Sequence, residues 1–229
     1  MLESFDEHLL LNSEKQNIKY HLDLIMEPFF CGSGKWAHVP MYKVLMSLVR
    51  KRPRDLVKLC TLAARHAKIK KSRFICTSDF QAIFEEYSQG RIQDTINEFK
   101  SELNNIGDLL FRMKPSKKAK KYSDSFVFTT AELYQKISNI LEQTHFVFAN
   151  GKTVDKKSLA QFLYKINFLT ARKQVEGGEI DRKYFEENRY LSSSFTDFGY
   201  DWEIHPAFRW ALKPDSIDDI FNSLSISAD

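Results

Sequence analysis

The run DKKSLAQFLYKINFLTARK, residues 155–173, switches hydrophobic period in its middle. From Asp155 to about Ile166 the apolar residues Leu159, Phe162, Leu163 and Ile166 recur at helical spacing, so they share one face of a short helix. The following FLTARK (168–173) reads as a strand. Gly177-Gly178 then marks a turn, and a polar, aromatic-rich stretch follows. YDWEIH (200–205) returns as a second strand with Tyr200, Trp202 and Ile204 alternating. His205-Pro206 closes that strand and opens a short helix, AFRWAL. Upstream, Thr129 and Glu132 make a capping-box pattern ahead of Leu133, Ile137, Ile140 and Leu141, which predicts one more helix. Two helices, a strand, a hairpin loop of about 25 residues and a returning strand make a winged-helix pattern.

Before this region the period is helical throughout. Leu22, Ile25, Met26 and Phe29 would share the face of one helix, and Met41, Val44, Leu45 and Leu48 that of the next. Leu56, Leu59, Cys60, Ala63 and Ala67 follow on a helix that Pro53 begins as a first-turn residue. Thr77 or Ser78 is placed to cap the longest helix, whose apolar stripe is Phe80, Ile83, Phe84, Tyr87, Ile92, Ile96 and Phe99. Leu103, Ile106, Leu109 and Leu110 continue into a further helix, with Gly107 an irregularity. The expected fold is therefore mainly α: a helical lid or bundle followed by a winged-helix (α+β) domain. Its expected boundaries are 1–113 for the helical lid or linker, 114–125 for a lysine-rich linker, 126–214 for the winged helix and 215–229 for an acidic tail. No internal repeat is visible.

With 229 residues, 43% of them hydrophobic and 19 Phe, the chain can build a substantial core, which excludes a disordered class. A net charge of +4 is only mildly basic, but positive charge concentrates at residues 50–73 and 114–121. No apolar run approaches the ~18 residues of a membrane span, and MLESFDEH is not a signal peptide. Cys31, Cys60 and Cys76 lack CxxC spacing and read as reduced thiols of a cytoplasmic protein.

CGSGKW (31–36) resembles the tail of a phosphate-binding loop. Aligned on Gly34-Lys35, however, that motif finds Phe29 at its first glycine and Trp36 at its magnesium-binding hydroxyl. The segment then reads as a connection between helices. Asp94, Glu98 and Lys100 mimic a nuclease carboxylate set but fall inside a helix rather than on a strand hairpin. The six histidines (8, 21, 38, 66, 145 and 205) never pair at metal-ligand spacing, so no metal site is expected, and His205 reads as a structural hydrogen-bonding residue.

The basic elements carry more chemistry. RKRPRDLVKL (50–59) gathers Arg50, Lys51, Arg52, Arg54 and Lys58 at a helix start, where free N–H groups and the dipole attract anions. Guanidinium forks there suit phosphate, or they bridge carboxylates elsewhere in the fold. Lys156, Lys157, Lys165, Arg172 and Lys173 would line the third helix and first strand of the winged helix, positions that ordinarily face DNA or a partner protein. Lys117, Lys118, Lys120 and Lys121 in the linker form either a tether or a phosphate-contacting loop.

RPRDLVKLCTLAARHA (52–67), YSQGRIQDTINEF (87–99), FLYKINFL (162–169) and YDWEIHPAFRWAL (200–212) together resemble the C-terminal region of bacterial P-loop ATPases of the STAND and KAP, AAA+-like class. The resemblance runs from about residue 40 to residue 212. It implies a helical lid whose sensor-type arginine, Arg54 with Arg52 the alternative, reaches the phosphates of a nucleotide, and a winged helix that closes the chain. The nucleotide-binding domain itself is missing from this sequence. ATP and magnesium would therefore be held only by a P-loop domain in cis or on a separate chain, in an oligomeric complex, and the chain alone would bind no cofactor. The family connection also implies defence against phage. The reading that follows is a non-catalytic regulatory and interaction module binding DNA or a partner protein. The alternative is a free-standing winged-helix transcriptional regulator with a helical dimerisation domain. A third reading is a toxin-like enzyme whose site assembles only in the fold.

Overall fold

The computed structural model describes residues 20–50, 52–115, 126–175, 180–194 and 199–212. The linker lysines Lys117, Lys118, Lys120 and Lys121, the Gly177-Gly178 turn and the acidic tail lie outside the described residues.

The protein is mixed α+β and mainly α. Its helices are α1 (Met41–Leu48), α2 (Pro53–Ile69), α3 (Thr77–Phe99), α4 (Ile106–Arg112), α5 (Thr130–Leu141), α6 (Lys156–Lys165) and α7 (Arg189–Ser194). Its strands are β1 (Val127–Phe128), β2 (Leu169–Gln174), β3 (Ile180–Lys183) and β4 (Asp201–Ile204). They form one antiparallel sheet in the order β1-β4-β2-β3, with Ala171 opposite both Trp202 and Lys183.

Local chemistry accounts for most of the boundaries. Pro53 occupies the first turn of α2, where its missing N–H costs nothing. Thr129 and Asp155 cap α5 and α6 through reciprocal bonds with Glu132 and Ser158. At α3 the cap is Cys76, one residue earlier than expected, because the Asp79 carboxylate reaches back to the Cys76 N–H at 2.8 Å. Thr77 instead donates to Glu27 and accepts from the Cys31 N–H.

Two expectations fail. The helix expected over Leu22 to Phe29 stops after its first turn: residues 20–23 are helical and the Met26 N–H bonds Leu22 O, but Met26 then bridges Ile75 and Phe29 bridges Pro40. Met26 and Phe30 are buried, whereas Ile25 and Phe29 of the expected apolar face are exposed. From Glu27 onward, backbone bonds to the segment just before α3 replace helical bonding, with Glu27 N–H on Ile75 O at 2.9 Å and Ile75 N–H on Ile25 O at 3.0 Å. In addition, the long hairpin between β2 and β4 is not simply a loop, since it carries β3 and α7.

Two apolar clusters fill the interior. One gathers Trp36, α1, the inner face of α2 and the first half of α3. The other gathers the end of α3, α4, α5, α6 and the sheet. Residues 206–212 join them: Phe208 and Leu212 belong to the second cluster, whereas Ala207 and Trp210 enter the first. Trp210 packs on Phe84 at 4.6 Å and on Trp36 at 6.2 Å between ring centroids, and Ala211 N–H donates to Ser88 Oγ.

Trp36 also explains the GSGK run. A 3-10 turn at Gly34–Trp36 drives the indole fully into the first cluster. Gly34 sits at φ +77, which a side chain would strain. Gly32 lies under the Phe30 ring, where a Cβ would meet a ring carbon at 2.3 Å. Both glycines are there for the turn.

Candidate functional site

The basic start of α2 is built in two layers. The inner layer is buried around Asp55. Arg50, fully buried, donates to Asp55 Oδ2 and Thr95 Oγ1, each at 2.9 Å, and its guanidinium lies 5.2 Å from the centre of the Phe208 ring. Arg91 from α3 donates to the other Asp55 oxygen and to Asp94, the latter at 2.6 Å. Burial alone would raise the Asp55 pKa, but Arg50 and Arg91 outweigh it and hold the carboxyl below its ordinary value. The network locks the first turn of α2 against α3.

The outer layer is open. Arg52, the residue preceding Pro53, and Arg54 share one oxygen of Glu98 at 2.8 and 3.1 Å. Arg52 is 23% exposed and Arg54 62% exposed. Against the cost of burial, these two guanidiniums keep the Glu98 pKa depressed. Beside them a groove of about 430 Å3 runs between α2 and α3, lined by Arg54, Lys58, Arg91, Asp94, Asn97 and Glu98. Gly90 completes that lining, and a Cβ built on it meets nothing within 4 Å. Glycine inside a helix costs ~0.5–1 kcal/mol relative to alanine. Here no neighbour in the fold requires it.

Of the two outcomes foreseen for this basic run, the arginines bridge carboxylates: Arg50 pairs with Asp55, and Arg52 and Arg54 pair with Glu98. Arg50 bridges a buried carboxylate, while Arg54 remains solvent-facing with one exposed partner. Arg91 and Glu98 were missed as members of the site. A signal for Arg91 was present: it falls in the α3 stripe between Tyr87 and Thr95, at i and i+4, where a cation needs a buried anion. Glu98 carried no such signal, because its pairing depends on how α2 lies across α3.

The second basic set is dispersed. Lys156 and Lys157 are exposed at the start of α6, with the Lys156 ammonium 5.5 Å from the Tyr134 ring centre. Lys165 pairs with Glu102 at 2.5 Å. Lys173 lies 5.8 Å from the Tyr200 ring centre. Arg172 turns inward, 13% exposed, with Nε 4.0 Å from Glu203. On the other side of α6, α7 and the segment before it close over the helix: Tyr164 is buried against Phe185, and Leu191 enters the core.

Glu203 anchors the sheet. It is fully buried and receives Arg182 at 2.7 and 3.2 Å and Arg209 at 2.5 Å. Burial raises its pKa, yet the two arginines bring it down to about 2. The strict alternation expected for β4 breaks here, since Trp202, Glu203 and Ile204 are all buried. His205 is buried too, and burial with the nearby Arg182 and Arg50 charges holds its pKa well below the ordinary value. Its Nδ1 accepts the Ala207 N–H at 3.1 Å, the structural role expected of it.

Among the described residues no group of three or more His, Cys, Asp or Glu side chains is arranged to hold a metal ion. No helix of the described residues is long and apolar enough to cross a membrane. No family model, no curated protein and no solved structure matches the chain.

Proposed function

We propose that this chain is a non-catalytic regulatory module that reads the phosphates of a nucleotide held by a P-loop ATPase domain, with Arg54 as the sensing group. The observation that carries the reading is the two-layered start of α2. A buried Arg50–Asp55–Arg91 network fixes the backbone, and Arg54 stands outside it on a single shared carboxylate. An exposed ion pair of this kind is worth only ~0–1 kcal/mol, so a terminal phosphate at the groove can replace Glu98. The exchange moves one side chain while the helix stays fixed. Phosphate contact in one nucleotide state only would then bias the orientation of the whole module.

The order of elements supports a winged helix as the second half. Helix α4, strand β1, helices α5 and α6 and strands β2 and β4 follow one another as that fold requires, with β4 between β1 and β2. β3 and α7 would then be an insertion in the wing, and their cover over α6 favours a protein partner over DNA for this half. A cytoplasmic, oligomeric defence ATPase acting against phage is the setting that the family resemblance suggests.

The test uses the complete ATPase, this chain with its P-loop domain. Arg54→Ala should erase the difference in protease protection between the ATP and ADP states, with thermal stability of this chain unchanged. Unaltered turnover and assembly would sink the idea. The free-standing regulator is favoured by the exposed Lys156 and Lys157 at the start of α6. It requires sequence-specific DNA binding that Lys156→Gln with Lys157→Gln abolishes.

A further inference from the structure

We propose that the solvent face of α2 is a docking surface for the phosphate backbone of double-stranded nucleic acid. Arg54, Lys58, Thr61, Arg65 and Lys68 are all exposed, at successive spacings of four, three, four and three residues. That spacing lays them along one side of the helix over about 21 Å at ~1.5 Å rise per residue. Between Pro53 and Arg73 the sole carboxylate is Asp55, which is buried and committed to Arg50 and Arg91. Among the described residues Lys58, Arg65 and Lys68 have no ion-pair partner. Exposed Lys71 and Arg73 extend the positive face just beyond the helix.

Only Lys68, in the last turn, is placed to favour the helix dipole. Arg54 and Lys58 lie near the positive end of its dipole, and the pairs Arg54–Lys58 and Arg65–Lys68 set like charges at neighbouring positions, each costing ~0.2–0.5 kcal/mol. Apart from Arg54 on Glu98 and Lys68 in the last turn, the row has no counterpart within the fold, and an anion outside it would offset the repulsion. The chemistry of the face selects which one. α2 contains no Trp, Tyr or Phe, the rings that usually anchor a protein partner. A line of flexible point charges suits phosphates, where counterion release supplies the affinity and no base is read. The surface is distinct from the one on α6 and does not depend on nucleotide sensing by Arg54.

The experiment is fluorescence anisotropy of the full chain with a labelled duplex of arbitrary sequence, titrated from 50 to 200 mM salt. Four phosphate contacts predict a log–log slope between about −3 and −4, which is roughly a 100-fold loss of affinity across that range. Arg65→Gln with Lys68→Gln, both remote from Glu98, should cut the slope by about two units and weaken binding at least tenfold at low salt. Thermal unfolding of the variant should match that of the parent chain. No binding at 50 mM salt overturns the proposal. So does binding that the double variant leaves unchanged, or binding lost only on substitution of Lys156 and Lys157. Displacement of the duplex by polyglutamate at lower charge concentration than by unlabelled duplex would assign the face to an acidic protein and equally overturn it.

Discussion

Two arginine–carboxylate clusters organise this protein, and they differ in what surrounds them. At Glu203 the carboxylate, Arg182, Arg209 and His205 are all buried, and the cluster ends in the core. At Asp55 the pairs with Arg50 and Arg91 are equally buried, but a second tier of Arg52, Arg54 and Glu98 reaches solvent beside a groove. The same residue types thus serve two purposes. A sealed cluster specifies packing, because an unpaired buried charge is costly. A cluster with an exposed tier gives one arginine a rigid base and a replaceable partner.

The largest effect that would break this comparison comes from removing the carboxylates. Glu203→Gln leaves Arg182 and Arg209 buried without their anion, and Asp55→Asn does the same to Arg50 while leaving Arg91 only its half-exposed partner Asp94. Each should cost about 3–5 kcal/mol in urea unfolding. A loss below about 1 kcal/mol at either position would mean that its cluster relaxes into solvent. Acid should act next. The folded Glu203 pKa of about 2 lies below its ordinary 4.5, so its contribution is complete above pH 4.5 and drains away as pH falls toward 2. That contribution is on the order of 3 kcal/mol. His205, held neutral in the fold, adds to the trend: below about pH 6.5 the unfolded chain takes a proton that the native state refuses. Stability should therefore decline from about pH 6.5 downward and steepen below pH 4.5, and Glu203→Gln should flatten the lower part. A flat profile from pH 7 to 3 would contradict the burial of the sheet cluster.

The smallest change falls on the open side. Gly90→Ala should stabilise the fold by ~0.5–1 kcal/mol, since the added methyl meets nothing within 4 Å. If the groove receives a ligand, the same methyl should weaken ATP-dependent switching while the melting temperature rises. A variant that is more stable and switches normally would remove the groove from the mechanism.

Much of the architecture was legible in the chain. Met41, Val44, Leu45 and Leu48 on α1, and Leu159, Phe162, Leu163 and Ile166 on and just after α6, are all buried as their period requires. Pro53, Thr129 and Asp155 start their helices because first-turn and capping chemistry acts within four residues. α5, α6, β2 and β4 follow in the order that the change of period at residues 166–168 announced, with β3 and α7 unforeseen between the last two. The segment from Leu22 to Phe29 misled because its spacing fits a helix, yet its backbone pairs with residues 40 and 75. No local rule reports a partner that far away.

Half of the candidate site was legible as well. A concentration of arginines at a helix start is visible in RKRPRD, and so is its affinity for anions. Which arginine is buried and which is exposed was not, because Arg50 and Arg54 differ only in the direction they face once α3 lies across α2. Glu203 shows the limit most clearly. Its position between Trp202 and Ile204 in an alternating strand calls for an exposed residue, yet residues 182 and 209 enclose it.

The sequence by itself determined most of the helices, the order of α5, α6, β2 and β4 and the charge carried by each, since propensity, capping and periodicity are properties of neighbouring residues. The tertiary structure alone decided which charges face one another, which arginine keeps water on one side, and that residues 206–212 join the two cores. Those outcomes depend on contacts between elements, from Arg91 on Asp55 to Trp210 on Trp36, and burial, not residue type, sets the energy of a charge.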